Sequence, residues 1–580
     1  MTGVAAPVRV GPAPLDPRAA QVMVPMRDGV RLATDVYLPE AGAGVQRHGR
    51  FPVILVRLPY DKSGRETFMP ALAPCFTERG YAFVAQDVRG KFRSEGETFP
   101  YVRELEDGYD TVEWVASQLW SDGRVGMFGD SYYGFTQWAA VASGHPALRA
   151  IAPRVTTVDL GTVRLGTSWE NTVPKLYSAS YQAHYFVEAA TYEYEPDWER
   201  RPLAEAFDDA FAAIGRRSAA FDVLLALARE RTTFETFAPP ARHPFQRLRI
   251  PVLHTTGWFD NLGPWAMRDY LTLSRDPQRS DLQHLFVDAM DHESYRLADV
   301  PVTPATDHYV SDEALARLLP DYAGPALDFF DVVIKGRRST AGIARVRWRL
   351  GHESWHEAPC WPPPGAREVL LYLGAAAQAA SGPAGGTLRP QAEPLAAATP
   401  WIHDPQDLVP SSVHDPFGFV REYPDEREVE GRGDVLTFTG EPVAAPLDLA
   451  GPVTAVLGVG TSGPSMDLHV KLVDVAPDGA AHTIVGGQAR ACGPDPARPT
   501  VVELSHTGYR LGAGHALRLH VASSDFPLYL WHPGTDENPW EATRCVANEQ
   551  TLTTGGGAPS HVRLSVWDGP GARGDGQRGS

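Results

Sequence analysis

Between residues 51 and 144 short apolar runs alternate with stretches long enough for helices, and few architectures accept that order. FPVILVRLPY (51–60) and YAFVAQDVRG (81–90) each carry a short apolar core followed by loop residues. PALAPCFTERG (70–80), lying between them, predicts a helix stopped by Gly80. DGYDTVEWVASQLW (107–120) predicts a second helix, GRVGMFG (123–129) a buried strand and FTQWAAVASG (135–144) a third helix. Strands covered on both faces lack polar alternation, so this pattern implies a mostly parallel sheet with helices packed over it. Upstream, QVMVPMRDGVRLATDVYLPE (21–40) alternates around Asp28-Gly29 and predicts a hairpin.

After about residue 155 the pattern turns helical from Thr167 to roughly Ala241, as in RPLAEAFDDAFAAIGRR (201–217) and SAAFDVLLALARE (218–230). Period-two segments return in RIPVLHTTGWFD (249–260) and LQHLFVDAM (282–290). The simplest architecture is an α/β domain interrupted by a helical insertion, and such insertions often form lids. SDEALARLLPDYAGPALDFFDVVIKG (311–336) predicts closing helices. Beyond WPPPGA (361–366) short alternating strands are separated by Gly, Pro and Asp turns, which fits a separate β-sandwich. Within it AAAQAASGPAGG (375–386) is expected to be a flexible surface loop. The expected boundaries are a tail over 1–20, an α/β core over 21–155 and 246–355, a helical cap over 156–245, a sandwich over 356–570 and a tail over 571–580.

Composition narrows the function classes. Across 580 residues, 53 Lys and Arg against 71 Asp and Glu leave a net charge of −18, which repels phosphate backbones and argues against nucleic-acid binding. No apolar run approaches the ~18 residues a membrane span needs. The first twenty residues lack a basic region feeding an apolar stretch, so a cytoplasmic protein is expected. The four cysteines, Cys75, Cys360, Cys492 and Cys545, are far apart and form no CxxC pair. Neither a disulfide scaffold nor a structural zinc site is expected. HExxH is absent too, and no cofactor or metal is expected.

The most informative stretch is Gly126-Met127-Phe128-Gly129-Asp130-Ser131-Tyr132-Tyr133-Gly134. It follows a strand-like run and precedes a helix-like one, the setting of a nucleophile elbow. Ser131 on such a turn would expose its hydroxyl above the sheet, and the Tyr132 amide would face a developing oxyanion. G-x-S-x-G is not strictly satisfied, because Tyr133 holds the second glycine position; an inert serine in a glycine-rich turn is the competing reading. A base and an orienting acid are also needed, and α/β-hydrolases order them Ser, Asp or Glu, His. Asp260 and His292 follow successive strand-like runs in that order. Asp260 could instead cap a helix beginning near Leu262, and His292 could be a surface histidine. His284 precedes LFV and suits a structural role better.

These residues carry a family resemblance. VPMRDGVRLATDVYLPE (24–40), RLPYDK (57–62), QDVRG (86–90), EDGYDTVEW (106–114), GRVGMFGDSYYG (123–134), GWFD (257–260), WPPPGA (361–366), DLHVKLVDVAPDG (467–479) and LRLHVASSDFP (517–527) make the chain resemble the CocE/NonD hydrolases of the X-prolyl dipeptidyl-peptidase (S15) superfamily. That superfamily includes bacterial cocaine esterases and glutaryl-7-aminocephalosporanic acid acylases. The resemblance covers about residues 21–530. It implies an α/β-hydrolase core, an inserted helical cap and a C-terminal jelly roll. It also implies a triad of Ser131, Asp260 and His292, with an oxyanion hole made by the Tyr60 hydroxyl and the Tyr132 amide. Two departures stand out: the family's Gly-Pro-Trp-Ser-His segment is Asp288-Ala289-Met290-Asp291-His292 here, and one loop glycine is Phe92, which points to a changed loop conformation.

The expected reaction is hydrolysis of an ester, or an amide, of a small molecule through an acyl-enzyme. X-prolyl dipeptidyl aminopeptidase or acylase action, acyl transfer by the same triad, and a noncatalytic carbohydrate- or protein-binding module are the alternatives. An aminopeptidase would need carboxylates for an α-ammonium; Glu170, Glu188, Glu193 and Glu195 are candidates, with a solvated helical face as the plainer reading. Trp169, Tyr177, Tyr181 and Phe259 are candidates for an acyl pocket, with cap core as the alternative for the aromatics of the helical segment. Trp531 and Trp540 are expected to pack against the core or cover the site's mouth. A homo-oligomer is left open.

Overall fold

A computed structural model describes residues 6–40, 49–165, 173–337, 343–383 and 385–569. The predicted tail over 571–580 and the candidates Trp169 and Glu170 lie outside the described residues. Strands and helices in chain order begin with β1 (Val8–Val10), β2 (Ala20–Pro25), β3 (Arg31–Tyr37), β4 (Phe51–Leu58), α1 (Met69–Thr77), β5 (Ala82–Asp87) and α2 (Glu104–Ser117). Next come β6 (Ser121–Asp130), α3 (Ser131–Ser143), β7 (Leu148–Arg154), α4 (Leu160–Leu165), α5 (Leu176–Tyr185), β8 (Thr191–Glu193), α6 (Glu205–Ile214) and α7 (Ala219–Glu230). The chain returns to the sheet with α8 (Pro244–Arg247), β9 (Val252–Gly257), α9 (Gly263–Ser274), β10 (Gln283–Asp288), α10 (Asp312–Val333), β11 (Val346–Arg349) and β12 (Trp355–Ala358).

The ten-stranded sheet runs β12-β11-β10-β9-β7-β6-β4-β5-β3-β2. Neighbours from β5 through β11 pair in parallel, and the β2–β3 hairpin and β12 close the edges antiparallel. β4, β5 and β9 are buried along their length or nearly so, which is why they read as continuous apolar runs. The hairpin turns at Gly29, φ 88°. The segment 311–336 forms one helix, α10, that runs through two prolines.

Between β7 and β9 the chain leaves the sheet and builds the helices α4 to α7 over its C-terminal end. Lys91 anchors this cap: it is 1% exposed, and its ammonium donates to the carbonyls of Tyr185, Glu188 and Ala190 at 2.5, 3.0 and 3.1 Å. Three acceptors use all three ammonium protons. Phe92, in the glycine's place, adopts the left-handed conformation itself (φ 46°), and its amide donates to Ala189 O at 2.9 Å. The substitution therefore sits in the backbone region that glycine reaches without strain.

Eleven described strands between Ala366 and Trp567 form the C-terminal β-rich region. The stretch expected to be a flexible surface loop contributes Ala379, wholly buried in that region's core, so it is tied into the packing. Trp531 and Trp540, 1% and 2% exposed, join an apolar cluster with Phe207, Phe221 and Leu224 of the cap. Replacing either by alanine would cost about 3–5 kcal/mol. The sandwich is thus joined to the cap through its core.

Candidate active site

Ser131 opens α3 directly at the end of β6, with φ 48°. A serine reaches that conformation only where its surroundings enforce it. Gly129 (φ 139°) is one enforcer, since a Cβ there would lie 2.1 Å from the Tyr133 ring. Gly134 is another: its Cβ would meet the Thr156 methyl at 2.5 Å, and the Thr156 hydroxyl donates to Ser131 O at 2.6 Å. The glycine arriving one residue late is therefore the one that lets the helix approach β7. Asp130 lines the same cavity as Ser131 and pairs with Arg154 at 2.9 Å. Burial pushes the Asp130 carboxyl up, against the pull of that guanidinium.

Tyr132 is wholly buried. Its hydroxyl donates to Glu104 at 2.9 Å and accepts from the Tyr101 amide at 2.8 Å, and Glu104 pairs with the buried Arg57 at 2.9 Å. This network fixes the residue whose amide lies in the first turn of α3, where amide groups have no intrahelical partner.

Asp260 and His292 leave the ends of β9 and β10. The His292 ring Nδ1 lies 2.8 Å from Asp260 Oδ1. The same Oδ1 accepts from the Leu262 amide at 3.0 Å, and Oδ2 accepts from the Thr256 hydroxyl at 3.0 Å. The carboxylate thus accepts from the turn that leads into α9, whose N-cap is Leu262 and not Asp260, and it also contacts the imidazole. With Nδ1–H donated to Asp260, Nε2 is left as the basic nitrogen. Gly257 sets the spacing between the two loops. A Cβ there would lie 2.0 Å from Met290 O, and the Trp258 and Phe259 amides donate to Asp288 O and Met290 O, both at 3.1 Å.

The aspartates around the histidine are otherwise engaged. Asp288 pairs with Arg349 at 3.1 Å. Asp291, fully buried, accepts from the amides of Glu293 and Tyr295 and, across the domain boundary, from those of Val420 and Arg421. Burial pushes its carboxyl well above the usual range, and these four amides oppose that. The Glu293 amide in turn donates to Phe417 O at 3.3 Å.

Ser131 and His292 line one cavity of about 680 Å³, part of it open to solvent, together with Tyr60, Tyr133, Tyr181 and Phe417. The Tyr60 hydroxyl is 2.8 Å from that of Tyr181. Burial raises the Tyr60 pKa, and hydrogen bonds to Tyr181 and to the Ser131 side chain oppose the rise. The tyrosine hydroxyl therefore stays protonated and faces the serine. Of the pocket candidates, Tyr181 lines this cavity. Tyr177 sits behind its wall, 5.8 Å between centroids from Phe417. Phe259 is turned away: its ring stacks on Phe419 at 5.6 Å and 6°, against the core of the β-rich region. A side chain in the turn after β9 follows the turn, not the strand's alternation. His284 bonds to Ala344 O and is structural.

Several cavity residues carry no local sequence signal. Phe417 comes from the β-rich region and lies 5.2 Å from the His292 ring. Glu66 and Glu293 bring carboxylates to the cavity, whereas Glu188 is engaged outside it with Arg9 and Tyr192. Glu293 Oε2 is buried without a hydrogen-bond partner, and burial, with repulsion from Asp415 and Asp291, pushes its carboxyl up to about 9. Among the described residues no group of three His, Cys, Asp or Glu side chains could hold a metal ion, and no helix is long and apolar enough to cross a membrane.

A serine on a strained strand–helix turn, beside an Asp–His pair at the ends of later parallel strands, defines a serine hydrolase of the α/β-hydrolase class. The signature of X-Pro dipeptidyl-peptidase (S15 family) matches residues 28–294, and that of the X-Pro dipeptidyl-peptidase C-terminal non-catalytic domain matches residues 341–563. The chain is 31% identical to cocaine esterase from Rhodococcus sp. over 546 residues, 88% of this chain and 91% of that one. Its fold superposes on a selenomethionine-labelled α-amino acid ester hydrolase with a TM-score of 0.75 and 25% identity, covering 96% and 98% of the two chains. A CocE/NonD family hydrolase from Staphylococcus aureus shares the fold at a TM-score of 0.62 and 18% identity, over 95% and 93%. The chain belongs to the CocE/NonD hydrolases of the S15 family, and it is an ester-cleaving serine hydrolase.

Proposed function

We propose that Ser131 is the nucleophile, His292 the general base and Asp260 the residue that holds the imidazole tautomer, in the hydrolysis of a small-molecule ester. The observation that carries this reading is the 2.8 Å contact between His292 Nδ1 and Asp260, in a cavity that Ser131 also lines. His292 Nε2 takes the Ser131 proton as the hydroxyl attacks the ester carbonyl. The carbonyl oxygen, now negative, is met by the Tyr60 hydroxyl and the Tyr132 amide. His292 then returns its proton to the departing alcohol, and a water activated by the same nitrogen releases the acid. Aromatic walls from Tyr60, Tyr181 and Phe417 favour an apolar group beside the reacting carbonyl. A fluorophosphonate probe should label the protein covalently and leave Ser131→Ala unlabelled and inactive. Hydrolysis by purified Ser131→Ala at near the parent rate would overturn the assignment.

A second substrate reading has its own support in Glu66 and Glu293. A primary ammonium on the acyl group would draw both carboxyls toward ionisation and give Glu293 Oε2 a partner. The comparison is alanine methyl ester against propionic acid methyl ester. A kcat/KM preference for the amine that disappears in Glu293→Gln supports this reading, and equal rates exclude it.

A further inference from the structure

Arg164, at the end of α4, is 2% exposed. Among the described residues no hydrogen bond or ion pair holds its guanidinium, and Nη1 is buried without a partner. Its surroundings are aromatic: the rings of Tyr177, Tyr181 and Phe417 each lie 5.3 Å from the guanidinium carbon. Cation–π contact offsets part of the cost of desolvating a cation but satisfies none of its five N–H donors. A second cation adjoins it. Lys175 precedes α5, donates to Asn261 O at 3.2 Å and lies 3.9 Å from the centre of the Trp265 ring. Burial and the repulsion of Arg164 hold the Lys175 ammonium well below its usual range, with Asp260 opposing them.

Both cations line a cavity of about 670 Å³, part of it open to solvent, distinct from the one that Ser131 lines. Val163, Leu224, Leu227, Trp265 and Trp540 make its walls largely apolar. A third basic side chain, Arg231, reaches the rim and donates to Asp536 O at 2.9 Å. No described residue lining this cavity is a carboxylate. A buried guanidinium that no described carboxylate pairs with, set beside the half-buried Lys175, is costly, and an anion between the two relieves both. The apolar walls set the rest of the ligand's chemistry.

We propose that this cavity binds an amphiphilic carboxylate, an organic acid with an unbranched or aryl apolar body, whose carboxylate meets Arg164 and Lys175 while its body packs on Leu224, Leu227, Trp265 and Trp540. Arg164 is suited to a carboxylate because its planar fork offers two parallel donors. The site lies beyond the Tyr181 and Phe417 rings that wall the catalytic cavity, and Lys175 holds the carbonyl next to Asp260. The proposal goes beyond the catalytic reading and does not require it.

Decanoate serves as the probe, titrated into the full chain carrying Ser131→Ala and followed by tryptophan fluorescence and calorimetry. One saturable site is expected, with decanamide, the neutral isostere, at least tenfold weaker. Arg164→Met should weaken decanoate at least tenfold. Should Arg164→Met fail to fold, Leu227→Trp, which fills the cavity from a partly exposed position and leaves both cations in place, should abolish binding. Absence of saturable binding overturns the proposal, as does equal affinity for the amide or unchanged affinity in the variants. Displacement of decanoate by an ester that occupies the Ser131 cavity also overturns it, because the acid would then sit in the catalytic site.

Discussion

Replacing Tyr60 by phenylalanine removes one oxygen and little else. The ring is held by edge contacts to Tyr133, Tyr181 and Tyr185, with centroids 6.0, 6.4 and 5.3 Å away, so phenylalanine keeps its place. The lost hydroxyl is one of the two donors proposed for the oxyanion. Loss of one such preorganised donor lowers kcat by about 10²–10³, or about 3–4 kcal/mol of transition-state stabilisation. Ground-state binding depends little on it, so KM should hold. The folded state loses the hydroxyl's hydrogen bonds to Tyr181, at 2.8 Å, and to the Ser131 side chain, in a wall that solvent reaches, each worth about 1 kcal/mol. The assay is rapid mixing with a p-nitrophenyl ester, which reads the acylation burst directly, with a thermal melt in parallel. Tyr181→Phe is the control: it removes the neighbour but keeps the Tyr60 hydroxyl, and should change acylation by less than about tenfold. An acylation rate in Tyr60→Phe within about threefold of the parent, with an unchanged melt, would refute the oxyanion role.

Asp260→Asn should lower kcat by about 10⁴, because an amide can donate to Nδ1 and hold the wrong tautomer; steady-state kinetics checks this, and a loss below about tenfold contradicts it. Gly257→Ala puts a methyl 2.0 Å from Met290 O and must move the histidine loop, so acylation should fall about a hundredfold while circular dichroism stays native. Glu293 titrates near 9 in the folded chain and near 4.5 when unfolded. Between those values the unfolded chain has released a proton that the folded one keeps, so this residue's contribution to stability falls as pH rises, by up to about tenfold in the folding constant per pH unit. Glu293→Gln should therefore melt higher than the parent by a margin that grows from pH 5 to pH 8; a constant margin would show that the carboxyl is ionised throughout.

The strained turn that carries Ser131, the proposed nucleophile, was legible because its determinants are contiguous. Gly129, Ser131 and Gly134 fall within six residues, and the flanking strand and helix each announce themselves by period. The order of Asp260 and His292 after strand-like runs followed from the same parallel-sheet logic. What lay out of reach depends on rotation and on distance along the chain. Tyr177 and Tyr181 are four residues apart on α5, one helical turn, and no periodicity tells which of them meets the cavity. Phe259 sits in a turn where alternation no longer assigns a face. Phe417 follows His292 by more than a hundred residues in a segment of short turns, and only the packing of the two regions brings it over the imidazole. Asp291 stands directly before His292 in the segment that departs from the family's pattern. Its four amide partners show a brace, two of them supplied by residues no local pattern links to it.

That brace bears on how chains of this kind can be recombined. A crossover placed after Trp361, where the α/β portion ends, looks like a clean seam between modules. It would nevertheless transfer, along with the incoming half, the ring over the imidazole and the two amides that seat its loop. Shuffled descendants would therefore inherit altered active-site furniture from the half that holds neither Ser131, Asp260 nor His292.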